Sequence, residues 1–176
     1  MSYDETLRRT LVAMARKAGT LIRVEELKRQ ALTASVNRPL AEALLKEIDD
    51  ILKLIPDFEQ VIKGAIEKAS KERKPLLETV IEDAIKGFIE VIPLAFVGTL
   101  DRMKRTIANT NEIINTTNKI VNELSKEGIY LPKIETIESK DDAISLSLAL
   151  KTARQRLQTI IEFLKELEKY GEEAKV

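Results

Sequence analysis

The chain of 176 residues carries 29 basic and 29 acidic side chains, no cysteine, no histidine, no tryptophan and only 4% aromatic residues. A chain this long suits one domain and hides roughly 70% of the surface it exposes when unfolded, without a staple of disulfide or metal. Without cysteine and histidine there is no thiolate metal site and the commonest general base is missing, and the charge balance excludes retention on nucleic acid or membrane by bulk charge alone.

Residues 1–5 hold no basic region followed by an apolar core, so no signal peptide is expected and the setting defaults to the cytoplasm. A surplus of Lys, Arg and Glu beside only four glutamines leans toward a thermophile.

Ser2 followed by Glu5 predicts a capping box at the start of helix one, whose apolar stripe is Leu7, Leu11, Met14, Ala18 and Leu21. The stripe then drifts to Val24, Leu27 and Ala31, which implies a second neighbour or a bend after Gly19. The helix is expected to break at residues 34–38, with Asn37 or Arg38 capping a second helix that has Pro39 in its first turn and buries Leu40, Leu44, Ile48, Ile51 and Ile55. Pro56 predicts a kink or a restart, with Asp57 in the new first turn.

A shorter helix follows Pro75, and residues 88–100, the most apolar stretch, contain one charge, Glu90. With a proline and a glutamate among only 13 residues, that stretch falls short of the ~20 apolar residues of a membrane span, and no membrane partner is expected.

Residues 94–126 read as one long helix, with Leu100, Met103, Ile107, Thr110, Ile114, Thr117, Val121 and Leu124 at alternating intervals of three and four. Gly128 ends it in a Schellman cap that sets Ile129 over Leu124. Residues 127–139 form the one long irregular segment, expected to lie over an end of the bundle. Ser139 is expected to cap a last helix, in which Leu146, Leu150, Ala153, Leu157, Ile160, Leu164 and Leu167 face inward until Gly171. These elements make an all-α protein, an elongated antiparallel bundle of four long helices plus one shorter helix joined at Pro93, within a single domain of residues 1–176.

Chemistry is sparse. Acid pairs at helical spacing, Glu47 with Asp50, Glu78 with Glu82 and Glu135 with Glu138, have no complementary motif, so no catalytic residue, metal ligand or cofactor is assigned. Two polar stripes stand out. Arg9, Arg16 and Arg23 recur every seven residues on helix one, a line suited to an acidic protein surface or a phosphate backbone. Between residues 109 and 122, eight of fourteen residues are Asn or Thr, and Asn111, Asn115, Asn118 and Asn122 fall on one line that borders the core. Four asparagines weaken a helix by several tenths of a kcal/mol each, so a compensating contact with another helix or subunit is expected. The function expected from these stripes is a non-enzymatic assembly protein that docks a protein partner or a second copy of itself. The alternative is a small subunit of a nucleoprotein complex.

Overall fold

The computed structural model describes residues 2–55, 57–72, 95–130 and 133–174. Pro56, the shorter helix expected after Pro75 and its joint at Pro93 lie outside the described residues. Among the described residues every regular element is helical: α1 (Tyr3–Leu21), α2 (Val24–Leu54), α3 (Phe58–Glu72), α4 (Ala95–Lys126) and α5 (Ala143–Glu173). None of them is long and apolar enough to cross a membrane.

Ion pairs give the directions. Arg38, Glu42 and Asp49 meet Glu168, Lys165 and Arg154, so α2 runs antiparallel to α5. Arg29 and Glu47 of α2 meet Glu123 and Arg102, so it is antiparallel to α4 as well. Asp4, Arg8 and Gly19 approach Arg156, Glu162 and Tyr170, which makes α1 parallel to α5. Helices α4 and α5, consecutive and in contact, therefore point the same way, and residues 127–142 must return along the bundle to join them.

The seam expected on α4 is the one observed: Met103, Ile107, Thr110, Ile114, Thr117, Val121 and Leu124 are buried and Leu100 is half-buried. Threonine is tolerated there because its hydroxyl stays satisfied; Thr110 and Thr117 donate to Thr106 O and Ile113 O, both at 2.8 Å. Gly128, at φ 96°, closes α4 as expected, with Ile129 N donating to Leu124 O and Gly128 N to Ser125 O.

The first break differs from expectation. The chain leaves α1 at Leu21, turns through Ile22 and Arg23, and then stays helical from Val24 through Pro39 to Leu54. The drifting stripe marked the true boundary, because one straight helix cannot keep both halves of that stripe against the same neighbours. Pro39 is tolerated inside α2, and the turn before it is held by Asn37, whose amide donates to Thr33 O at 2.8 Å, and by Arg38, bound to Glu168 and Glu42. With the helix continuous, Leu40 turns outward: each step of four advances about 40°, which puts Leu40 about 80° round from the fully buried Ile48. Leu21 and Val24, at the turn, are exposed too. The second break falls between Leu54 and Phe58, where Asp57 accepts from Gln60 N at 3.3 Å.

Helix α5 begins three residues later than expected. Asp142, not Ser139, is its N-cap and accepts from Ser145 N at 2.8 Å. It also runs through Gly171 to Glu173; an ideal Cβ at Gly171 would stand 2.3 Å from Ala31 Cβ, so this glycine serves close packing of α5 on α2 rather than termination.

Candidate functional site

The asparagine line divides in two. Asn118 is buried and forms a closed pair with Ile134 of the returning segment: its Nδ2 donates to Ile134 O at 3.0 Å and its Oδ1 accepts from Ile134 N at 2.7 Å. Asn111 repeats the arrangement on Ile137, at 3.0 and 2.8 Å. A side-chain amide is a copy of the peptide group, so each asparagine lets the helix offer a strand-like edge to an extended chain. The register follows from two rises. Seven helical residues span about 10.5 Å and three extended residues about 10 Å, so asparagines seven apart match isoleucines three apart.

Ile134 and Ile137 are both buried, and the segment runs antiparallel down the flank of α4 instead of over an end of the bundle. The partner of Asn111 and Asn118 is thus an extended stretch of the same chain. Asn115 and Asn122 are exposed and make no hydrogen bond to described residues.

A second fixture holds the same segment, one that the sequence reading missed. Arg156 of α5 is buried, pairs with Asp4 at 2.9 Å, donates to Glu135 O and lies 4.7 Å from the centroid of the Tyr3 ring. Glu135 N donates to the Tyr3 hydroxyl at 3.0 Å. The start of α1, the returning segment and α5 therefore meet at one guanidinium, whose planar fork serves several acceptors at once.

The arginine line is shortened. Arg9 and Arg16 are exposed on α1 without an ion pair among the described residues. Arg23 lies beyond the end of α1, at the N-cap position of α2, and pairs with Glu127 at 3.1 Å, so it leaves that line. The nearby Glu26 is taken by Arg29 and Gln30, whose hydrogen bonds hold its carboxyl below the ordinary carboxylate range despite burial.

The acid pairs are spent or dispersed. Glu47 bonds Arg102, which lowers its pKa, while Glu135 and Glu138 lie exposed on the returning segment, and Glu78 and Glu82 lie outside the described residues. Among the described residues no three acidic side chains gather as a metal site would require. No protein-family model matches the chain, and no similar curated protein or solved structure was found.

One surface went unnoticed in the sequence. Leu32, Val36 and Leu40 of α2 are 68%, 61% and 53% exposed, and Ala43 continues their line. At about 100° per residue the four fall within an arc of about 80°, which makes a narrow apolar stripe on the outer face.

Proposed function

We propose that this is a non-enzymatic helical assembly protein of the cytoplasm, one that works by docking a partner subunit or a second copy of itself. The observation that supports the reading is the stripe of Leu32, Val36 and Leu40, three large aliphatic side chains in line on the outside of a helix whose other faces are packed on α4 and α5. Scattered exposed leucines are ordinary, but a contiguous rank of them marks an interaction surface. The charged groups around it hold helices together: Arg38, Arg29, Glu47 and Asp49 each bond a neighbouring helix.

Arg9 and Arg16, exposed and without an ion pair among the described residues, favour a second reading, a small subunit that follows a phosphate backbone. Native mass and the ratio of absorbance at 260 and 280 nm, measured on protein isolated from the cells that make it, separate the two. Assembly through protein gives a mass above the 19.9 kDa of one chain with absorbance typical of protein. Absorbance dominated by nucleic acid, with a mass that collapses on nuclease treatment, selects the second reading. A bare monomer at every concentration, both as isolated and after concentrating, overturns both.

A further inference from the structure

We infer that the outer face of α2 is the contact of an isologous dimer, two copies of this chain packed antiparallel about a two-fold axis at Val36. The inference rests on the assembly reading and names its occupant. From Gln30 to Leu45 the helix carries only two charges, Arg38 and Glu42, and both are engaged with α5, Arg38 through Glu168 and Glu42 through Lys165. This leaves the outer face uncharged for about four turns, with Leu32, Val36, Leu40 and Ala43 exposed along it.

Most charges flanking that face are engaged within the chain: Arg23 with Glu127, Arg29 with Glu26 and Glu123, Glu47 with Arg102 and Asp49 with Arg154. Of those left, Glu25 lies before it and Lys46 after it, so parallel copies would set like charges together, whereas antiparallel copies set each on its opposite. A two-fold axis at Val36 also sets Leu32 on the partner's Leu40 and Val36 on the partner's Val36, so the three large apolar side chains of the stripe meet one another, as a self-complementary patch requires, while Ala43 falls opposite the partner's Arg29.

Glu25 and Lys46 make the arrangement specific. Both are exposed and neither has an ion pair among the described residues. They stand eleven residues before and ten after Val36, so the axis brings each within about 1.5 Å, measured along the helix, of the other's counterpart. Within one protomer they are about 31 Å apart, too far to pair. A stripe this short predicts a weak dimer, populated as concentration rises.

The chain has no cysteine, so single cysteines report the geometry directly. Under oxidation Val36→Cys is expected to give a covalent dimer. Leu32→Cys alone is not, because its two copies would lie about 12 Å apart along the axis, beyond disulfide reach, while a mixture of Leu32→Cys and Leu40→Cys proteins should link. Charge reversal supplies a second arm. Glu25→Lys and Lys46→Glu are each expected to weaken dimerisation several-fold, and the double variant to restore it, because only a contact between protomers can be rescued by groups so far apart in one chain.

Linking of Leu32→Cys to itself, or absence of rescue in the double variant, overturns this register and leaves assembly standing. A purified chain that stays monomeric at every concentration, yet is found in a larger complex in its own cells, overturns the second copy as occupant and leaves assembly with another partner. Dimers linked through Val36→Cys and rescued by the double reversal support the inference.

Discussion

Replacing Asn118 by alanine tests whether the helix truly offers a strand-like edge. The change removes two hydrogen bonds of 3.0 and 2.7 Å and strands both backbone groups of Ile134, a residue with no exposed surface. A buried donor or acceptor left without a partner costs about 1 to 3 kcal/mol, so the two cost about 2 to 6 kcal/mol, and the better helix propensity of alanine returns about 0.6 kcal/mol. The expected net loss is about 3 kcal/mol, which for a domain of this size lowers Tm by about 6 to 12 °C.

Asn115→Ala and Asn122→Ala are the controls. Their amides bond none of the described residues, so the propensity gain is unopposed and each should be neutral or stabilising by about 0.5 kcal/mol. Urea unfolding of the three variants, with hydrogen exchange at the Ile134 and Ile137 amides, gives both the global and the local effect. Loss of protection should centre on Ile134 in Asn118→Ala. Equal stability of Asn118→Ala and Asn115→Ala would refute the pairing.

Gly171→Leu should destabilise by more than 2 kcal/mol in thermal unfolding, because even a Cβ there would stand 2.3 Å from Ala31 Cβ, and pairing it with Ala31→Gly should recover part of the loss. Arg156→Met removes the partner of Asp4 and Glu135 O while keeping much of the buried volume; a loss of about 2 to 4 kcal/mol is expected, together with faster proteolysis of the returning segment. The folded-state pKa of Glu26 is depressed by its hydrogen bonds from Arg29 and Gln30, so its contribution is present above the unfolded value of about 4.3 and is lost as pH falls through the folded value. Glu26→Gln should therefore be less stable than the parent at pH 7 and equal to it near pH 2; an unchanged gap across that range would rule out the charge as the cause.

Where burial alone decides a position, its residue type carried the signal. The α4 seam, the inward line of α5 from Leu146 to Leu167 and the Gly128 cap could all be read from spacing, because periodicity and a left-handed residue are local properties. The break at Ile22 was visible only as a drift of the stripe, and Pro39 pointed to the wrong boundary because local propensity was overridden by what α2 packs against: Ala34 and Ala41, on either side of Pro39, are fully buried in one continuous helix.

The asparagine line was legible as something needing compensation, though not as half structural and half exposed. Its partner is an extended segment with no periodic pattern, and the match lies in a relation between two rises that appears only once both elements are placed. Arg156 gave no signal at all, since the residues it joins lie 152 and 21 positions away. The stripe at Leu32, Val36 and Leu40 was hidden because apolar residues at helical spacing usually mean core, and Leu40 read as the first member of a buried row.

The most direct test of assembly through α2 is a concentration series of amide chemical shifts in the isotopically labelled chain. Shifts should grow with concentration and centre on the outer face from Glu25 to Lys46, largest near Val36, with those at Asn115, Asn122, Arg9 and Arg16 unmoved. A spectrum that does not change with concentration, or shifts confined to the α1 arginines or the exposed asparagines, would contradict it.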